Sequence, residues 1–158
     1  PPRLTLTLLG LIFSISLLSW AIGDRAREAV LYFPAVRGGS LHGESRNLPR
    51  SASAEKTAEL VASELLLGPI DPDLRPAFPP GIRVSATLYR HGVLYLDLSP
   101  EAALAPRPEL EKGLEALGRS LRASLPWTRR LVLTIGGIEP WLEGLPGPSG
   151  GPKKSEKN

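Results

Sequence analysis

Leu110, Leu114, Leu117, Leu121 and Leu125 recur at steps of three and four residues. Only an α-helix sets that spacing on one side, so the stripe predicts a helix over 109–124 with a wide apolar face that must be covered. Pro126 closes it, and Glu115 is placed to meet Arg119 on the wet side. A second helix is predicted at 52–67. Ser51 or Ser53 can cap it, Ala54, Ala58, Val61 and Leu65 form its buried stripe, and Gly68-Pro69 ends it.

Two apolar helix faces need a partner layer, and the remaining segments read as strands. "VLYF" at 30–33 ends at Pro34, and 41–48 can return as an irregular second strand after the glycine pair at 38–39. "IRVSATLY" at 82–89 and "VLYLDL" at 93–98 alternate, and Leu131, Leu133 and Ile135 share one face of 129–137. The order implies an α+β fold, a two-layer α/β sandwich with both helices on one face of a largely antiparallel sheet. Val61, Leu65, Leu88, Leu94, Leu96, Leu114, Leu117, Leu121, Leu133 and Ile135 are expected between the layers.

The hairpin at 82–98 carries a register expectation. A two-residue turn at His91-Gly92 opposes Leu88 to Tyr95 and Ala86 to Asp97, which mixes the faces. A three-residue turn at Arg90-His91-Gly92 aligns Leu88 with Leu94 and Val84 with Leu98, with Gly92 in the left-handed position. Face matching favours the longer turn.

The chain's 158 residues, 42% of them hydrophobic, suffice for one domain with one core. Residues 4–23 hold no charge and would make about 30 Å of helix, the thickness of a bilayer's hydrocarbon core. They read as an N-terminal membrane anchor, with a cleaved signal peptide as the alternative. Residues 1–3 are then a cytoplasmic remnant, 24–28 a linker, 29–142 the folded domain and 143–158 a disordered tail of glycine, proline and charge. The net charge is +3, and acidic and basic residues nearly balance within 29–142. Nothing concentrates into the basic face that nucleic acid requires. With no cysteine, thiol chemistry and cysteine-ligated zinc are excluded.

Few residues suggest catalysis. His91 sits in a turn, and His42 beside Glu44 lacks the further ligands of a metal site. Neither Ser40 nor Ser45 lies in an elbow motif that would make it a nucleophile. Asp97 with Glu101 or Glu139 is the carboxylate pairing on which a wall-polymer hydrolase would draw. The plainer reading of Asp97 and Ser99 is backbone capping at a strand exit. Glycines occur without a phosphate-binding pattern, and no cofactor or metal is expected. Arg37, Arg46 and Arg50 remain. They form either a solvated edge, with Arg46 paired to Glu64 or Asp97, or a docking patch for a protein or an anionic envelope polymer.

Taken in order, "AVLYFPAVRGGSLHGESRNLPR", "ELLLGP", "FPPGIRVSATLYRHGVLYLDLSPE" and "RRLVLTIGG" resemble the GerMN domain of the sporulation and spore-germination family. The likeness covers a single copy over about 29–140. It is carried by Tyr32 and its neighbours, Arg46, Gly68 and Pro69, Pro80-Gly81, and the run through Asp97 to Ser99. The final turn departs from the family's usual Asp-Gly, having Gly136-Gly137. The resemblance implies a non-enzymatic domain outside the cytoplasm, tethered to a bacterial inner membrane by one N-terminal span. It brings no catalytic residues; with the arginine patch it points to an envelope protein or peptidoglycan-type polymer as partner, and a purely structural envelope scaffold is the alternative.

Overall fold

The computed structural model describes residues 10–16 and 26–140. Strand β1 (Arg27–Pro34) and strand β2 (Leu41–Leu48) pair antiparallel, from Arg27 opposite Leu48 to Pro34 opposite Leu41. Helix α1 (Ala54–Leu67) follows, then β3 (Val84–Arg90) and β4 (Val93–Leu98). A 3₁₀ turn (Pro100–Leu104), helix α2 (Arg107–Ser124) and β5 (Arg130–Ile135) complete the order. The α+β class holds, with one difference from the expected single sheet. Strands β1 and β2 make one sheet and β3-β4-β5 another, and β5 runs parallel to β4. The parallel pair follows from its connection, since α2 carries the chain back to the starting end before β5 begins.

The helices form where their caps and stripes placed them. Ser53 caps α1, its hydroxyl accepting from the amide of Lys56 at 3.1 Å. Gly68 ends α1 at φ 92°, in the left-handed region that suits glycine. Ala58, Val61 and Leu65 are buried along α1, as are Leu110, Leu114, Leu117, Leu121 and Leu125 along and just beyond α2. Helix α2 lies mainly against β1, and α1 bridges α2 and β3. Leu31 and Phe33 from β1 and Leu94, Leu96 and Leu98 from β4 join both helices in one core. Glu115 pairs with Lys112 at 2.9 Å rather than with Arg119. The Arg119 guanidinium instead lies 4.6 Å from the centre of the Tyr32 ring, an attraction of charge to the ring face.

The hairpin corrects the expected register. Arg90 pairs with Val93 and Leu88 with Tyr95, so the loop is the two residues His91 and Gly92. Both have positive φ, 50° and 82°, as the type I′ turn demands, and its twist matches that of the flanking strands. Turn geometry therefore outweighed face matching. Thr87 and Tyr89 point inward, while Leu88 is 44% exposed and leaves the expected core. A bulge between Val84 and Ala86 then restores Val84 opposite Leu98.

Residues 10–16 are helical and exposed, and the Ser14 hydroxyl donates to the Gly10 carbonyl. Most of the predicted 4–23 anchor lies outside the described residues, as do the 143–158 tail and residues 1–3. Among the described residues no helix is long and apolar enough to cross a membrane. Strand β1 begins at Arg27, inside the predicted linker.

Candidate functional site

Most residues singled out for chemistry serve the fold. The Arg46 guanidinium leaves β2 and spends its donors on four acceptors from three residues. It donates to Glu44 at 2.8 Å, to the Glu64 carboxylate at 3.0 Å and to the carbonyls of Glu64 and Gly68 at 3.3 and 2.6 Å. The side chain is 9% exposed, and its guanidinium lies 5.6 Å from the centre of the Phe33 ring. Glu44 faces the opposite way with its other oxygen, accepting the amides of Ile70 and Asp71, each at 2.9 Å. Burial pushes the Glu44 carboxyl up, but the Asp71 amide, the Arg46 side chain and the Ile70 amide outweigh it and hold the group below its ordinary value. The pair clamps β2 to the end of α1, where Gly68 and Pro69 turn the chain. Of its two anticipated partners, Arg46 meets Glu64 and not Asp97.

Asp97 and Ser99 cap backbone at the exits of β4 and β5. One Asp97 oxygen accepts from the Thr134 hydroxyl at 2.6 Å and from the Gly137 amide at 2.8 Å. The Ser99 hydroxyl oxygen accepts from the Arg83 amide at 3.1 Å. Glu101 is exposed, and the Ser99 hydroxyl beside it leads the interactions that hold its carboxyl below the usual range. Near the first turn, Ser40 Oγ and His42 Nε2 stand 3.0 Å apart on exposed residues. Glu44, the nearest carboxylate in sequence, is committed to the clamp. Among the described residues no cluster of three or more metal-ligating side chains occurs.

A groove of about 590 Å³ opens where β1 begins, β2 ends and α1 starts. Arg27, Arg50, Ser51, Ser53, Thr57 and Trp127 line it, and among the described residues its lining contains no carboxylate. Arg27 is held in place, donating to the Ser124 carbonyl at the end of α2 and resting 5.9 Å from the centre of the Trp127 ring. The Trp127 indole is 54% exposed. Arg50 makes no ion pair or hydrogen bond among the described residues. A small void of about 10 Å³ adjoins, sharing Arg27, Ser51 and Thr57 with the groove and bordered by Ser124. Of the anticipated arginines, only Arg50 reaches this groove. Arg37 is exposed in the β1–β2 turn and Arg46 is inside the clamp. Arg27 and Trp127 were not anticipated. The one available signal was a tryptophan set in a turn after the helix-ending Pro126, where packing on α2 does not explain it.

The model of a protein family described as Germane, sporulation and spore germination, matches residues 30–140. The chain belongs to the Germane family. Two solved structures share the Germane fold seen here. The tandem GerMN domains of the sporulation protein GerM from Bacillus subtilis are 20% identical, with a TM-score of 0.56; 73% of this chain and 41% of that one are covered. The first GerMN domain of the same protein is 20% identical, with a TM-score of 0.55 and coverage of 72% and 86%. A putative lipoprotein from Clostridium perfringens is 16% identical, with a TM-score of 0.48 and coverage of 73% and 80%. The chain thus spans less than half of the tandem structure. No curated protein matches it.

Proposed function

We propose that this Germane-family domain is a non-enzymatic envelope domain, tethered to the bacterial inner membrane by the segment 4–23, that docks a protein partner or a wall polymer. One observation carries the reading. Glu44, Arg46, Asp97 and Ser99 are engaged by the fold, while among the described residues a groove with two arginines and a half-exposed indole is left open. Guanidinium groups and aromatic faces bind without reacting. Arg50, with Arg27, is the proposed contact; Arg37 offers a second cation on the exposed first turn, and Arg46 holds the scaffold. The uncharged run and the family match support an envelope setting.

The hydrolase reading has less to draw on. A general acid needs a raised pKa, and Glu101 is held low by Ser99. Asp97 is engaged by Thr134 and Gly137.

Photo-crosslinkers at Arg50 and at Arg37 in the full chain, followed by capture from native envelope, test the proposal. A specific partner or intact polymer trapped from position 50, and lost in a folded Arg50→Glu variant, is the expected result. Polymer cleavage abolished by Asp97→Asn would overturn it. A compartment-sensitive reporter fused after Glu143 tests the setting, since cytoplasmic reporter activity excludes a domain outside the cytoplasm.

A further inference from the structure

We propose that the groove between Arg27, Arg50 and Trp127 is a binding site for an acidic saccharide, a sugar ring bearing a carboxylate. This deepens the docking function proposed above and rests on it.

The anion preference comes from three sources that converge on the same space. Two guanidinium groups line the groove, and among the described residues no acid lines it. Arg27 is oriented before any ligand arrives, by the Ser124 carbonyl and the Trp127 ring, so little of its freedom is lost on binding. The groove also meets the first turn of α1, a helix of 14 residues. There the amides of Ala54 and Glu55 have no intrahelical acceptor, and the helix dipole favours negative charge. The acidic side chain in that turn, Glu55, is turned to the amide of Tyr89 at 3.2 Å.

A separate observation points to a ligand oxygen. Ser124 is 3% exposed, and its hydroxyl has no hydrogen-bond partner among the described residues. A buried hydroxyl without a partner is costly. It borders the small void that shares three walls with the groove, and that void has room for about one oxygen atom. Arg27 lies beside both spaces, so one carboxylate oxygen can take the hydroxyl while the other meets the arginines.

The ring preference comes from Trp127. Its indole is 54% exposed at the groove wall. A flat apolar face suits the C–H face of a pyranose, and the hydroxyl oxygens of Ser51 and Thr57, whose protons go to the Ser53 carbonyl, line the groove as acceptors. A bare anion would leave this face unused.

The test uses the full chain in detergent micelles, followed by NMR at the Trp127 indole N–H, whose signal is assigned through Trp127→Phe. The probes are methyl β-D-glucuronide, its neutral analogue methyl β-D-glucoside, acetate and inorganic phosphate. The glucuronide should give saturable shifts, with Kd on the order of 1 mM. Arg50→Ala should weaken binding about tenfold or more, as expected for the loss of a charge-assisted contact. Arg107→Ala, exposed on α2 and outside the groove, should leave it unchanged. Equal affinity for acetate or phosphate would reduce the site to one for a bare anion, and equal affinity for the glucoside would remove the role of charge. Either result, or no saturation by the glucuronide, overturns the proposal. A protein crosslinked at position 50 alongside such a failure would leave the docking function standing and remove only the saccharide.

Discussion

The backbone amide of Tyr32 donates to the hydroxyl of Ser120 at 2.8 Å, and that hydroxyl donates to the Ala116 carbonyl at the same distance. Among the described residues strand β1 pairs with a neighbouring strand, β2, along one edge only. On its other edge α2 supplies this acceptor from a fully buried serine. The helix therefore closes the edge with one side chain as well as with its leucines. Ser120→Ala should cost about 1–3 kcal/mol in denaturant titration, because the Tyr32 amide loses its acceptor away from water. A loss within about 0.5 kcal/mol, the ordinary range for a surface change, would show that the contact seals nothing.

The clamp at Arg46 should be the most sensitive polar site. Arg46→Ala leaves Glu44 enclosed without its cation and should cost about 3–5 kcal/mol. Arg46→Lys should also destabilise, since one ammonium cannot span two carboxylates and two carbonyls as a guanidinium fork does. Urea titration of the two variants checks both. A silent lysine variant would mean that charge alone matters there.

Acid should weaken the same clamp. The Glu44 carboxyl is held below its ordinary value in the fold, so its contribution is fully present above the unfolded value of about 4.3 and is lost as pH falls through the lower folded value. The Tm advantage of the natural chain over Glu44→Gln should therefore shrink below about pH 4.3. A gap that stays constant into strong acid would disprove the linkage.

Two glycines on α2 should respond oppositely to alanine. A Cβ at Gly113 would stand 2.5 Å from the Ala77 carbonyl oxygen and 2.7 Å from Phe78 Cε1, so Gly113→Ala should cost about 1–3 kcal/mol through overpacking. At Gly118 the Cβ would meet only Leu131 Cδ2 at 3.7 Å, and alanine should stabilise by up to about 1 kcal/mol through helix propensity. Paired thermal melts distinguish them.

At the hairpin tip, His91 occupies φ 50° without being glycine. His91→Asn should raise Tm, because asparagine tolerates that region better, and Gly92→Ala should cost about 1–2 kcal/mol. Stability of the alanine variant equal to that of the natural chain would contradict the turn type.

Helix stripes were legible because leucine spacing alone decides them; Leu110 to Leu125 fall where period and packing agree. Face matching gives the wrong hairpin register because backbone twist favours the two-residue turn, and the bulge between Val84 and Ala86 that reconciles the two leaves no mark in residue type. Arg46 was legible as part of a motif, yet its acceptors are carbonyls, which every residue possesses and no sequence pattern displays. The groove stayed hidden for a related reason. Arg27, Arg50 and Trp127 come from three distant segments, and only the closing of α2 onto β1 brings them to one place.

Strand β5 can join β4 only after the chain has passed through the 3₁₀ turn and the whole of α2. The hairpin β3–β4 and the helix are local and carry little loop-closure entropy; the parallel pair closes a longer loop, and the docking of α2 on β1 through Tyr32 and Ser120 a longer one still. The order of events in folding is thereby biased, with β5 docking after the barrier and α2 forming before it. Substitutions such as Leu117→Ala should then slow refolding, whereas Leu133→Ala should chiefly hasten unfolding in stopped-flow traces. Time, as well as free energy, is divided within the β3-β4-β5 sheet.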